Sequence, residues 1–247
     1  MRDNATLIFD GDNTLFECGK YYLDAERMFG AAMHLKHGVN AVLASKILAD
    51  LDVTSTKLDE GFSRKRYPRS FRAASYAMDV IFGCDIDYVL AEQMTLIAEN
   101  VFKAPYTLYP GVRSTLMGYK EQGWRLILIT KGDYKVQRRK IEINGLDKIF
   151  EEENIFIVEK KNVNVLADII AQTNTYTESA YMIGDSMKDD IGPALALGMT
   201  TIHIDSRNSK WGYEDVEHTP HHILRSVTHL PSVLTAPKAS KYATIGT

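Results

Sequence analysis

Long apolar runs are missing from this chain of 247 residues. No stretch approaches the roughly 20 apolar residues that a membrane helix needs, so no membrane partner is expected. Cysteine is scarce as well. Cys18 and Cys84 are the only two, too few for a disulfide scaffold or a cysteine-rich zinc module, and in keeping with a reducing compartment. An excess of one charge is also absent. The 29 Lys+Arg against 32 Asp+Glu leave a net charge of −3, which supplies no general pull toward nucleic acid or anionic lipid. The first apolar stretch, Leu7-Ile8-Phe9, stops at Asp10, too short for the hydrophobic segment of a secretion signal. The expectation is a cytoplasmic protein, monomer or homodimer. What is present, 45% hydrophobic and 25% charged residues, is ordinary for a globular fold and argues against wholesale disorder.

Five short apolar runs stand out: Ala5–Phe9, Arg125–Ile129, Ile155–Val158, Ala180–Ile183 and Thr200–Ile204. Runs of this length and composition read as strands buried on both faces. Helical spacing lies around and between the later ones, in Val112/Leu116/Tyr119, Leu166/Ile169/Ile170 and Ile191/Ala194/Leu195. Alternating strand and helix predicts a doubly wound parallel α/β sheet. The first and second runs are more than a hundred residues apart, where a crossover needs only a dozen or so. Apolar stripes at helical spacing fill the gap: Tyr22/Ala25/Phe29/Ala32/Met33, Phe71/Ala74/Ser75/Met78/Phe82 and Val89/Leu90/Ile97/Val101. The expected organisation is a core of residues 1–16 and 106–234, an inserted all-helical domain over 17–105, and a polar tail over 235–247 expected to be mobile.

Ligands of open parallel sheets sit at the carboxyl ends of the strands. The residues that follow the apolar runs are Asp10-Gly11-Asp12-Asn13-Thr14, Thr130-Lys131-Gly132, Glu159-Lys160-Lys161 and Gly184-Asp185-Ser186-Met187-Lys188-Asp189-Asp190. One rim thus gathers several carboxylates, a hydroxyl and ammonium groups. Converging carboxylates repel unless a cation sits among them, and an all-oxygen acidic site suits Mg²⁺. A carboxylate also serves as a nucleophile toward phosphorus. Nucleophile, acid/base, metal site and charge stabiliser together make a set for phosphoryl transfer.

These strings, Asp10-x-Asp12-x-Thr14, Thr130 ending a run, a lysine, then Gly184-Asp185 with further acids, resemble the four motifs of the haloacid dehalogenase superfamily, in that family's order. The resemblance covers about residues 5–205. It implies a Rossmann-like core, with the insert as a cap. It also implies a Mg²⁺-dependent phosphatase acting on a small phosphorylated metabolite through an aspartyl-phosphate. Asp10 would be the nucleophile and a metal ligand. Asp12 would be the acid/base and lend its backbone carbonyl to the metal. Thr130 would bind the phosphoryl oxygens and Asp185 would be a direct metal ligand. The lysine is Lys160 or Lys161. Lys161, 23 positions before Gly184, fits the family spacing without a gap. Of Asp189 and Asp190, the spacing favours Asp190 as partner of a metal-bound water or of that lysine. Gly11, Lys131 and Gly132 are candidate phosphate contacts.

An acid at position 12 implies an alkoxide leaving group, since expelling halide needs no proton. The alternatives are a 2-haloacid dehalogenase, a phosphonatase using a cap lysine (Lys20, Lys36, Lys46 or Lys57), or a non-catalytic binder of a phosphorylated ligand. The basic run Arg64-Lys65-Arg66-Tyr67-Pro68-Arg69, with Arg72, reads as an exposed loop and helix face, the alternative being recognition of a second acidic group on an anionic substrate or of nucleic acid. His221-His222 reads as surface loop, Cys18 as filler at the hinge of the insert, and Trp124 as core. Trp211, in a loop with Tyr213, reads as a lid or interface residue.

Overall fold

The structure, a computed structural model, describes residues 5–58, 63–205 and 218–234. Six strands form one parallel sheet: β1 (Thr6–Phe9), β2 (Arg125–Lys131), β3 (Ile155–Val158), β4 (Ala180–Gly184), β5 (Thr200–Ile204) and β6 (His222–Leu224). Their spatial order is β3-β2-β1-β4-β5-β6. The order reverses direction at β1, and such a switch point leaves a crevice at the strand ends where ligands bind. All of β1 is buried. Its side chains alternate between two apolar layers. Leu7 and Phe9 join Leu116, Ile141, Phe150 and Ile183 on one face. Ile8 joins Ile127, Ile129, Leu166, Ile169 and Met182 on the other. Burial on both faces is why these strands read as continuous apolar runs.

Between β1 and β2 the chain forms α1 (Gly19–His37), α2 (Ala41–Leu58), α3 (Arg66–Ile81) and α4 (Tyr88–Val101). These four pack around an apolar cluster of their own, including Phe29, Met33, Leu48, Phe71, Met78 and Met94. The helices begin and end inside the expected 17–105 segment. Asn13 ties the insert to the first acidic loop. Its side-chain oxygen accepts from the amides of Cys18 (3.2 Å) and Gly19 (2.8 Å) at the start of α1. It does so from a left-handed backbone position, φ +61°, that asparagine tolerates better than most residues.

Four remaining helices flank the sheet: α5 (Val112–Glu121), α6 (Tyr134–Ile143), α7 (Val163–Gln172) and α8 (Gly192–Ala196). Val112, Leu116 and Tyr119 are buried, as their spacing predicts, and so is Trp124. Several expectations are corrected. The five apolar runs are strands, but β6 adds a sixth where a surface loop was expected. It pairs along β5, and the His221 ring accepts the Thr201 amide at 3.1 Å. A three-residue edge strand carries too short a pattern to read. Of the last stripe only Val89 faces outward: Val101 is buried and Leu90 and Ile97 pack partly buried against the insert's cluster, with Ala91, Met94 and Ala98 buried beside them. Phe82 caps the end of α3, half exposed and stacked on His37. Helices α2 and α6 were not among the predicted stripes. Trp211, Tyr213 and the 235–247 tail lie outside the described residues. Among the described residues, no helix is long and apolar enough to cross a membrane.

Candidate active site

The acidic loops meet at the carboxyl ends of β1 and β4. Asp10 follows β1 and Asp185 follows β4. Immediately after Ser186 the chain makes a single π-helical turn, Met187–Ile191, a form that recurs at functional sites. That turn folds Asp190 back over Gly184. A Cβ on Gly184 would lie 2.3 Å from Asp190 Oδ2, so only glycine admits the carboxylate there. We expect Gly184→Ala to overpack this contact by about 1–3 kcal/mol. That corresponds to a fall in Tm of roughly 3–10 °C at this chain length, read by calorimetry. An unchanged Tm would contradict the packing described. Gly11 is similarly confined: a Cβ there would meet Thr130 Oγ1 at 3.1 Å and Phe16 Cζ at 3.2 Å.

Oxygens from Asp10, Asp185 and Asp190 all lie within 4.8 Å of one another, and all three residues are buried. Lys161 reaches into this cluster. Its Nζ donates to Asp190 Oδ1 at 2.7 Å and also to Asp10. Asn162 fixes the lysine's position by capping α7 from the next residue, its Oδ1 accepting the Val165 amide at 2.9 Å. Neighbouring Lys160 is exposed. Asp189 is turned to Lys131 instead. The ambiguous pairs therefore separate by position, with Lys161 and Asp190 inside.

Burial pushes the Asp10 carboxyl well above the ordinary carboxylate range, against the pull of Lys161 and with help from Asp190 and Asp185. Burial also opposes the charge on Lys161, but Asp10 and Asp190 outweigh it and hold its pKa above the usual lysine value. Asp10, Asp185 and Asp190 thus converge beside the Lys161 ammonium. Asp10 Oδ2 is buried without a hydrogen-bond partner. An all-oxygen donor set of this kind, with an acceptor oxygen to spare, fits a hard divalent cation.

Asp12 stands apart from that cluster, in a cage that sequence reading missed. Lys140 Nζ donates to both its oxygens, at 2.7 and 2.9 Å. Gln137 Nε2 donates to Asp12 Oδ2 at 2.9 Å, and lies 3.0 Å from Thr130 Oγ1 and 2.6 Å from the Lys131 carbonyl. Lys140 is wholly buried. Burial disfavours its charge, yet Asp12, with Cys18, keeps its pKa above the ordinary lysine value. Cys18 is buried as expected, 3.4 Å from Lys140 Nζ. Burial and Asp12 push its thiol pKa well up, so it is no nucleophile. Both missed residues ride on α6, whose N-terminus Asp133 caps by accepting from the amides of Lys135 and Val136. The available signal was Val136, Gln137, Lys140 and Ile141, one helical face and all buried.

Thr130 and Gly132 depart from expectation. Thr130, next to last in β2, is fully buried, and neither it nor Gly11 lines the cavity. The Gly132 amide already donates to the Val158 carbonyl at 3.0 Å, which removes it as a ready phosphate contact. Lys131 and Gly132 do line the cavity, with Asp10, Asp12, Lys161 and Asp185. The opposite wall comes from the insert, through residues including Tyr22, Asp52, Arg66 and Tyr67. The expected exposed basic face is corrected there. Arg66 and Tyr67 are buried, because Asp52 on α2 accepts from Arg66 Nη1 at 2.6 Å.

Comparison with known proteins extends the geometry. The chain is 26% identical over 244 residues to a glyceraldehyde 3-phosphate phosphatase of Pyrococcus furiosus, covering 95% of this chain and 93% of that one. It is 24% identical over 216 residues to a glyceraldehyde 3-phosphate phosphatase of Methanothermobacter thermautotrophicus, covering 85% and 90%. A crystal structure of a haloacid dehalogenase-like family hydrolase from Xanthomonas campestris superposes with a TM-score of 0.73 at 23% identity, over 93% of this chain and 90% of that one. The sequence profile of the haloacid dehalogenase-like hydrolases matches residues 5–198. With the acidic rim in place and most of its length matched, the chain belongs to the haloacid dehalogenase-like hydrolases.

Proposed function

We propose that the protein is a Mg²⁺-dependent phosphatase of small phosphate monoesters. The observation that carries this is the convergence of Asp10, Asp185 and Asp190 within 4.8 Å around Lys161, with a separate acid, Asp12, on the same cavity. The relatives whose names specify glyceraldehyde 3-phosphate support a three-carbon sugar phosphate as the first substrate to try.

Asp10 attacks phosphorus and the ester P–O bond breaks. The departing alkoxide takes a proton from Asp12. Water then attacks the aspartyl-phosphate and gives a proton to the same Asp12 carboxylate, the bond between phosphorus and the Asp10 oxygen breaks, and phosphate leaves. One residue serves both steps because the proton delivered in the first is recovered in the second. Lys161, held by Asp190, neutralises charge on Asp10 and the phosphoryl group. Thr130, behind the cavity wall, accepts from Gln137 and so helps hold the Gln137 amide that donates to Asp12. Mg²⁺, held by the Asp10 and Asp185 carboxylates and the Asp12 carbonyl, would supply Lewis-acid stabilisation of phosphoryl charge. The helical insert, acting as a cap, would limit water around the acyl-phosphate.

A phosphonatase needs an imine-forming lysine from the insert. Among the described residues the lysines lining the cavity are Lys131, Lys140 and Lys161, none of them from the insert. Of the four candidates, Lys20 pairs with Glu17 and Lys36 with Asp79. The test is phosphate release from p-nitrophenyl phosphate and sugar phosphates, with metal control. We expect turnover with Mg²⁺, its loss in excess EDTA, and recovery on adding Mg²⁺ back. Turnover indifferent to EDTA, or halide release from a 2-haloacid without Mg²⁺, refutes the reading.

A further inference from the structure

The insert wall of the cavity carries two orphaned polar atoms. Arg66, 3% exposed, spends its Nη1 on Asp52 Oδ1 (2.6 Å), the Asp52 carbonyl (3.0 Å) and Ser55 Oγ (2.8 Å). Its Nε is buried with no hydrogen-bond partner, and so is the hydroxyl of the next residue, Tyr67. Tyr67 is also 3% exposed, its ring 5.0 Å edge-on from Tyr22. Buried polar groups are nearly always hydrogen-bonded. Two adjacent exceptions on a wall facing a reaction centre point to a ligand that supplies the missing partners.

Charge selects among ligands. Asp52 already balances the Arg66 guanidinium, and Asp133 stands 3.6 Å from Arg64. Burial keeps the Tyr67 hydroxyl protonated. This wall therefore offers hydrogen bonds without surplus positive charge, and a second anionic group would meet the Asp52 carboxylate. A hydroxyl or carbonyl oxygen meets no such repulsion. The cavity is modest, about 120 Å³, which favours a small alcohol.

We propose that Arg66 Nε and Tyr67 Oη are the specificity contacts for the leaving group. They select phosphate esters of small, neutral alcohols bearing hydroxyl or carbonyl groups, over plain alkyl phosphates and over esters with a second anionic group. This rests on the phosphatase reading above. A site built to hydrogen-bond a substrate discriminates strongly against an analogue that leaves the site's polar groups unpaired.

The test compares kcat/KM in Mg²⁺ for glycerol phosphate, propyl phosphate, 3-phosphoglycerate and p-nitrophenyl phosphate. The wild type should favour glycerol phosphate over propyl phosphate by about 100-fold, and over 3-phosphoglycerate by at least about ten-fold. Tyr67→Phe should lower the glycerol-to-propyl ratio about ten-fold, and Arg66→Met should lower it at least as much. Tyr67→Phe preserves the ring, so it carries the test even where Arg66→Met does not fold. Asp52→Asn should raise the relative rate on 3-phosphoglycerate, because it leaves the guanidinium charge unbalanced. A wild-type ratio near one, a ratio that Tyr67→Phe leaves unmoved, or a wild-type preference for 3-phosphoglycerate overturns the proposal while the phosphatase reading stands. No turnover of any ester, the aryl phosphate included, overturns both.

Discussion

Asp10→Asn is expected to lower kcat on every phosphate ester by at least about 10³-fold and to leave the fold standing. The amide is not a competent nucleophile, and on the proposed route losing the group that would form the covalent bond removes both steps. Stability is another matter. Asp10 is one of three buried carboxylates with oxygens inside 4.8 Å of one another. Burial and the neighbouring Asp190 and Asp185 push its carboxyl upward against the Lys161 charge. Neutralising one member eases that repulsion, and Lys161 keeps its 2.7 Å bond to Asp190. In Mg²⁺-free buffer the variant's Tm should stay within a few degrees of wild type. Adding Mg²⁺ should raise the wild-type Tm, since a ligand of the native state stabilises it, and raise the variant's less. Phosphate-release assays and paired melts check both halves. A variant that retains a tenth of wild-type turnover would remove Asp10 from the nucleophile's role.

Asp12→Asn should behave differently on both counts. An alkyl phosphate cannot expel an unprotonated alkoxide readily, so its turnover should fall about 10²–10⁴-fold. An aryl phosphate has a better leaving group and needs the acid less. Its first step should continue, whereas water attack, now without a base, becomes slow. The aspartyl-phosphate should then accumulate, seen as a burst of phenolate followed by a slow phase and as a phosphorylated protein by mass spectrometry. The fold should also suffer. Lys140 is buried with Asp12 as its ion-pair partner, at 2.7 Å. Stranding a buried charge costs up to about 3–5 kcal/mol, less here because asparagine keeps one acceptor oxygen. A burst-free variant with equal losses on alkyl and aryl esters would deny Asp12 the acid/base role.

The two acids of one loop thus carry different structural burdens, and only part of that is visible in the string Asp10-Gly11-Asp12. The rim acids were legible because each follows a short apolar run, and the run's burial between two layers is itself a local pattern. Lys161 and Asp190 could be favoured over their neighbours only through the resemblance to the haloacid dehalogenase motifs and their spacing. The geometric separation came from the Asn162 cap and from the π-helical turn that lays Asp190 on Gly184. Lys140 and Gln137 stayed hidden. The segment Tyr134–Ile143 carries four basic residues among its ten, so it resembles a solvated surface helix until the sheet is seen to bury one side of it. Arg66 was misread for the same reason. A basic run is ordinarily a wet surface, and it was Asp52, 14 positions earlier on another helix, that drew this arginine inside.

Sequence alone determined the parallel α/β core, the helical insert after β1 and the acidic groups at the strand ends. These follow from periodicity and from what must terminate a buried strand, both short-range properties of the chain. Tertiary structure alone decided which charges face each other: Lys161 with Asp10 and Asp190, Lys140 with Asp12, Arg66 with Asp52. Each pair joins different segments, separated by between 14 and 151 positions. Coulomb energy in a poorly solvated interior depends on distance in space and on burial, and neither is written in the order of the residues.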